Sequence, residues 1–163
     1  MDHINTIKVS LVAFFGALSA VLGWFGWLVI IFIAAMAIDW FTGSARAGKD
    51  GEWSSKRARE GLWHKCGSLI AVIVAGLADI VLGLIVNNIP AIVLPWEYTV
   101  LFCPVVVVWY ILTELGSIIE NVGELGAPIP SFLRNMIKAL KAAADTAGNQ
   151  LIPGEESKTD KTE

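Results

Sequence analysis

Residues 66–86 read CGSLIAVIVAGLADIVLGLIV, a run in which Asp79 carries the only charged side chain. A transmembrane helix needs about 20 predominantly apolar residues to cross a hydrocarbon core about 30 Å thick. This stretch is therefore predicted to be a membrane-spanning helix. The rest of the chain is therefore interpreted as part of a membrane protein.

The composition of the 163-residue chain agrees with this interpretation. Hydrophobic residues make up 55% of the chain and charged residues 17%, whereas about 25% of an ordinary soluble domain is charged. The mean hydropathy is +0.64. Lys and Arg are absent from residues 9–45 and again from residues 66–133. The sequence thus predicts a polytopic membrane protein.

Several classes of function are disfavoured by the same composition. A net charge of −3 and a pI near 5.4 give no electrostatic footprint for a nucleic-acid partner. Cys66 and Cys103 fit no metal or redox spacing and are expected to be free thiols. His3 and His64 are the only histidines, and no phosphate loop or catalytic constellation accompanies them. We therefore expect no enzyme, no catalytic residue, no metal and no cofactor.

A second span is predicted at 97–122, joined to a helix at 64–88 by the connection 87–97. That connection holds Pro, Asn and Trp, which favour turns and the membrane interface. Because it is short, the two helices are expected to form an antiparallel hairpin.

The apolar run 9–38 is too long for one straight span, because it would measure about 45 Å as a helix. Residues 23–27 read GWFGW, in which Gly permits a turn and Trp favours the interface. Two helices at about 7–22 and 24–45 are favoured, and one long tilted helix is the alternative. The run also exceeds the roughly 7–15 residues of a signal-peptide core, so the N-terminus is expected to be retained.

The C-terminal part has a different pattern. Within 128–147, apolar residues recur at the i, i+3, i+4, i+7 spacing of an amphipathic helix suited to the lipid headgroup layer. Residues 148–163 are polar without periodicity and are expected to be disordered. The predicted fold is an all-α integral membrane protein. Its transmembrane domain covers 1–122, with three or four short spans, two hairpins being favoured.

Basic side chains predict the orientation. They concentrate in the predicted loop 46–65 and in the C-terminal helix, and by the positive-inside rule both lie on the cytoplasmic side while the 87–97 turn lies outside. The residues that set this topology are Arg46, Lys49, Lys56, Arg57, Arg59, Lys65, Arg134, Lys138 and Lys141.

Four carboxylates in or beside the predicted spans are candidates for oligomer contacts or for the lining of a lumen: Asp39, Asp79, Glu114 and Glu120. Ionisable groups at membrane depth are costly and usually face a bundle interior or water. No Lys or Arg lies in the apolar runs, so these carboxylates are expected to lack a basic partner. Asp39 and Glu120 could instead simply reach the interface.

Two stripes of small residues at helical spacing are candidates for close helix packing, either between protomers or within one. The stripes are Ala13, Gly16, Ala20 and Gly23 in the first predicted helix, and Gly67, Ala71, Ala75 and Gly83, with Asp79 among them, in the third.

Three ordered blocks of sequence resemble a known family. They are INTIK at 4–8 with FGALSA at 15–20; AIDWFTG at 37–43 with GEWSSK at 51–56 and REGLWHK at 59–65; and TELGSIIEN at 113–121 with GAPIP at 126–130. Together they resemble the bacteriophage holins of the group that includes the clostridial toxin-secretion holins, over about residues 4–140. The chain departs from that family at residues 23–26, where many members have a double glycine and an acid.

The resemblance implies a bacterial cytoplasmic (inner) membrane protein that contacts lipid and forms homo-oligomers. Its oligomers would open lesions that release an endolysin or a large toxin lacking a signal peptide. Two other functions stay open. A small ion channel or transporter would give selective, non-lethal conductance. A non-pore holin regulator or membrane anchor would leave expressing cells intact.

Overall fold

The computed structural model describes residues 5, 6, 8–10, 12, 13, 16, 23–51, 53–89 and 100–151. Four long helices lie within the last three of these ranges: α1 (Trp24–Lys49), α2 (Ser55–Asn88), α3 (Phe102–Glu124) and α4 (Ser131–Gln150). Strands are absent from the part of the chain that the structure describes. The predicted all-α membrane fold is thereby confirmed. Among the described residues, three helical segments are long and apolar enough to cross a membrane: Trp24–Lys49, Ala58–Asn88 and Phe102–Glu124.

Gly23 lies at the position where the first apolar run was predicted to break. Its φ of +58° is a backbone conformation that glycine adopts without the steric cost of a Cβ, and α1 begins at the next residue. The described residues between positions 5 and 16 are helical. Residues 17–22, with Ala20 among them, lie outside the described residues, so the three-span and four-span alternatives both stay predictions.

The basic segment 46–65, predicted to be a loop, is mostly helical, and in this respect the prediction is wrong. α1 continues to Lys49, and α2 begins at Ser55 rather than at residue 64. The N–H of Ala58 donates to the carbonyl of Ser54 at 3.0 Å, which places Ser54 at the N-cap position. The predicted start at residue 64 was wrong because it was placed by hydropathy, and the first turns of α2 are polar.

α3 lies at the centre and contacts the other three helices, whereas α1 and α2 touch each other only slightly. Its apolar side packs into a core with α1 and α2 that consists of Phe32, Met36, Ala75, Cys103, Val107 and Ile111. The other described helices consequently leave most of the apolar surface of α2 uncovered, with Ile70, Ile73 and Ile80 about 60% exposed.

α4 begins at Ser131, three residues later than predicted, because Pro130 has extended backbone angles (φ −60°, ψ 132°). It continues through residues 148–150, which were predicted to belong to a disordered tail; residues 152–163 of that tail lie outside the described residues. The amphipathic helix is therefore present. It packs antiparallel along α3, with Ile137 buried against Gly116, and its position in the headgroup layer stays a prediction.

The end of the bundle at which α1 finishes and α4 begins is called the basic end below. There Arg46 of α1 pairs with Glu124 of α3 at 3.1 Å. Lys49 donates to the carbonyl of Glu124 at 2.9 Å, and the guanidinium of Arg134 lies near Gly123. These contacts explain why α1 extends past the predicted end at residue 45, since its basic last turn is held by the end of α3.

Candidate functional site: a polar cluster between the spans

An ion triad joins the three spanning helices. The ammonium of Lys65 on α2 lies 2.9 Å from Asp39 Oδ2 on α1 and 2.5 Å from Glu114 Oε2 on α3. The three side chains are only 12%, 16% and 11% exposed. The expectation that the membrane carboxylates lack a basic partner was therefore wrong for two of them. Lys65 supplies the charge because its long aliphatic stem can lie along apolar surface while the ammonium reaches a polar site.

Asn121 extends the triad towards the basic end. Its amide donates to Asp39 Oδ1 at 3.0 Å and its carbonyl accepts from Arg46 at 3.2 Å. Gly43 on α1 faces this amide, and a Cβ there would lie 3.5 Å from Asn121 Nδ2. The small residue thus lets α1 approach α3 where the network crosses between them.

Asn121 was not among the site residues predicted from the sequence, although a signal for it exists. Asn121 lies seven residues after Glu114, so the two side chains share one face of α3. A search for uncharged polar residues on the faces of the carboxylates would have found it.

A cavity of about 690 Å³ opens beside the triad, between α1, α2 and α3. It exists because α1 and α2 contact each other only slightly, which leaves space between them on one side of α3. Its walls combine the triad with Ser68, His64 and the aromatic pair Trp109 and Tyr110. A space lined by the charged triad and by apolar side chains thus lies among helices whose outer surfaces are apolar.

Asp79 has a different environment from the triad. It is 2% exposed, and its carboxylate accepts hydrogen bonds from the N–H groups of Leu101, Phe102 and Cys103 at 3.0, 2.9 and 2.7 Å. The first turn of a helix leaves its N–H groups without intrahelical partners, and the next residue, Pro104, has no N–H. Asp79 therefore caps the start of α3 from a neighbouring helix.

This cap explains why α3 begins at Phe102 rather than at the predicted residue 97. Small residues near Asp79 let α2 pack closely against the start of α3. Ala75 is buried, and a Cβ on Gly76 would lie 3.6 Å from the sulfur of Cys103. This part of the α2 stripe packs within the protomer, whereas a Cβ on Gly67 would have open space around it. Ala71 and Gly83 are half-buried.

The remaining predicted site residues are not brought together with the triad. Glu120 is exposed and borders a small space between α3 and α4. A Cβ on Gly16 or Gly23 would meet no atom of the described residues within 4 Å, and Ala13 is exposed. Lys56 pairs with Glu60 at 4.0 Å on the surface. Arg59 is exposed, and the side chain of Arg57 lies outside the described residues.

The fold and the site define an all-helical, multi-pass membrane protein whose apolar spans enclose a polar cluster. The bacteriophage holin family matches residues 16–142 of the chain, and the protein belongs to this family.

Two relatives that the chain resembles have names that state no function. A protein of Halalkalibacterium halodurans called uncharacterized is 31% identical over 135 residues, which cover 83% of this chain and 93% of that protein. An uncharacterized protein of Clostridium perfringens is 30% identical over 112 residues, 69% of this chain and 73% of that protein. No solved structure matches the chain.

Proposed function

We propose that this protein acts as a holin in the bacterial cytoplasmic membrane. In this proposal, it accumulates as protomers, assembles into homo-oligomers and opens lesions. The lesions release an endolysin or, as in the toxin-secretion group that the sequence resembles, a large toxin without a signal peptide. Membership of the holin family supports the proposal.

The observation that carries the proposal is the ion triad with its cavity inside three apolar spans. Burying charged groups in a low-dielectric interior is expensive, and a buried ion pair is weak evidence for stability alone. Ionisable residues at membrane depth usually mark a functional path. The triad (Asp39, Lys65, Glu114) can hold the protomer closed and, when opened, present charged side chains to water.

The uncovered face of α2 supplies the second requirement, which is a surface for assembly. Ile70, Ile73 and Leu77 are each more than half exposed, so α2 can contact lipid in a protomer and another copy in an oligomer. Without a hydrophobic driving force in lipid, such association depends on packing and weak polar contacts. A gradual build-up of protomers can therefore precede assembly.

Orientation is part of the proposal. Arg46, Lys49 and Arg134 gather at the basic end, and by the positive-inside rule this end faces the cytoplasm. A change of membrane potential then acts on any charge that moves when the triad opens, by about 2.3 kcal/mol per elementary charge per 100 mV.

The test is induced expression in a lysis-negative bacterium, with and without a cytoplasmic muralytic enzyme. Culture density and membrane potential are followed together. Abrupt depolarisation, with lysis only when the enzyme is present, is the expected result. Replacing the enzyme with a large signal-less toxin and measuring its release tests the second kind of cargo.

Two results would contradict the proposal. Slow leakage of ions without enzyme release would indicate a small channel or transporter. Healthy, polarised cells that contain the protein in their membrane would indicate a regulator or an anchor.

A further inference from the structure

α4 lies beside the most apolar part of a spanning helix. Its first turn begins at the basic end, near Gly123, and the helix then runs back along α3 as far as Gly148, where an added Cβ would lie 3.8 Å from Val105 Cγ1. Residues 102–113 of α3 carry no charged side chain. α4 has 20 residues, a length of about 30 Å that equals the thickness of a hydrocarbon core.

Specific contacts fix this position. Ile137 is buried against Gly116. Further along, the ammonium of Lys141 lies 4.3 Å from the ring centre of Trp109, and the indole N–H of the same Trp109 donates to Asp145. A cation–π contact strengthens where water is excluded. α4 is therefore attached to α3 along its length and not only through its first turn.

The two free sides of α4 differ in chemistry. At 3.6 residues per turn, Phe132, Met136 and Leu140 fall on one side, where they are 70%, 48% and 47% exposed. Lys138 and Asn149 fall on the other side together with Asp145, and all three are exposed. The stripe that contacts α3 lies between these sides, so one free side suits lipid and the other suits water.

We propose that α4, docked along α3, lines the aqueous lumen of the lesion with its polar side. This inference rests on the proposed holin function. Asp145 and Asn149 lie beside the uncharged part of α3, where exposure of their side chains to lipid would be costly. Water on that side removes the cost, while Phe132, Met136 and Leu140 on the other side remain in contact with lipid.

The polar side of α4 also leads towards the ion triad. A groove of about 510 Å³ has α2 on one wall and Asp145 and Asn149 of α4 on the other. Trp109 and Tyr110 line both this groove and the cavity beside the triad. The lumen in this proposal therefore follows one side of α3, from the triad to the end of α4.

The docked position and the headgroup-layer position that the sequence predicts are two states of one helix. In the docked state Gly148 lies at the level of Val105, far from the basic end. A cytoplasmic C-terminus is thus expected only for protomers in which α4 still lies on the surface. Insertion of α4 beside α3 accompanies assembly in this scheme.

Disulfide trapping tests the docked position in the full-length protein. The pair Val105→Cys and Gly148→Cys is introduced after the native thiols are removed by Cys66→Ser and Cys103→Ala. Val105→Cys with Thr146→Cys is the matched control, since Thr146 is exposed on the far side of α4. Membranes from triggered cells are oxidised and then treated with a polyethylene-glycol maleimide, which labels free thiols. We expect neither cysteine of the first pair to be labelled, because the two form a disulfide, and both cysteines of the control pair to be labelled.

Water contact is tested by spin labels at two neighbouring positions. Asn149→Cys lies on the polar side and Ala147→Cys on the apolar side, two residues away at nearly the same depth. We expect a water-soluble relaxation agent to act on the label at 149 and dissolved oxygen to act on the label at 147. The labels are read in lesions formed by purified protein in lipid vesicles.

Failures of the two proposals are distinguishable. If the cysteine-free parent depolarises cells but the 105/148 pair does not form a disulfide, or if the locked pair abolishes depolarisation, the α4 proposal is overturned while the holin function stands. Equal exposure of both labels to water also overturns it. If the protein with its native cysteines never depolarises cells, both proposals fall.

Discussion

At the residue scale, Lys65 is the side chain that contacts a carboxylate on each of the other two spans. Removing one partner of a buried ion pair costs about 3–5 kcal/mol, because the other charges stay buried without compensation. Lys65→Met leaves Asp39 and Glu114 facing each other, so we expect earlier triggering and a lower unfolding midpoint in detergent. Lysis onset and thermal unfolding measure this change.

The matched control for Lys65 is Lys56→Met. Lys56 belongs to an exposed i,i+4 pair in which the two side chains are 80% and 59% exposed, and such pairs contribute at most about 0.5 kcal/mol. It should leave lysis onset unchanged. If cells that express each of the two variants began to lyse at the same time as cells that express the parent protein, the triad would have no part in holding the protomer closed.

The cap at Asp79 gives a second prediction at this scale. Asp79→Ala leaves three N–H groups at the start of α3 without an acceptor, and we expect a loss of at least about 2 kcal/mol in the free energy of unfolding. Asp79→Asn keeps one acceptor oxygen and should lose less. Chemical unfolding in detergent micelles measures both values, with Glu120→Gln as an exposed control.

The same pair of variants separates two roles for Asp79. A cap predicts that Asn substitutes partly for Asp, in stability and in lysis timing alike. A lumen role that depends on charge predicts that Asn and Ala change lysis timing equally, although the two variants differ in their free energy of unfolding.

The sequence identified Asp39, Asp79 and Glu114 as unusual because a carboxylate within an apolar run is a local signal. The partners of these carboxylates could not be predicted in this way. Lys65 is 26 residues from Asp39 and 49 from Glu114, and the contact depends on how three helices pack. The hydrogen bonds from the start of α3 to Asp79 could not be predicted for the same reason, since nothing in the sequence near Phe102 indicates a carboxylate from α2.

At the element scale, the free energy of docking of α4 depends on its buried stripe. Ile137 is 7% exposed whereas Leu140 of the same helix is 47% exposed. Truncation of a buried aliphatic side chain costs about 2–5 kcal/mol. We therefore expect Ile137→Ala to reduce the yield of the 105/148 disulfide strongly and Leu140→Ala to reduce it little.

Equal disulfide yields from these two variants would contradict the packing of α4 along α3.

The sequence predicted the amphipathic character of α4 correctly, because a 3.6-residue period is visible without a structure. It could not predict the partner of the helix, since an apolar stripe suits a membrane surface and a neighbouring helix equally well.

At the scale of the whole molecule, α2 presents an apolar seam to its surroundings. Ile70, Ile73, Leu77, Ile80 and Leu84 follow the alternating three- and four-residue spacing of a helix–helix interface, and each is more than half exposed. They lie opposite Ala75 and Asp79, which face α3. A second copy of the chain is thus expected to meet α2 along this seam when protomers assemble.

This seam gives the last prediction. In the background without native cysteines, Leu77→Cys should form disulfide-linked dimers in membranes, and their yield should rise as lysis approaches because assembly brings two seams together. Ala75→Cys, buried on the opposite side of the same helix, should stay monomeric. Non-reducing electrophoresis of samples taken through the induction measures both. Lysis on schedule without dimers at residue 77 would exclude the α2 seam from the assembly and move the protomer contact to another helix.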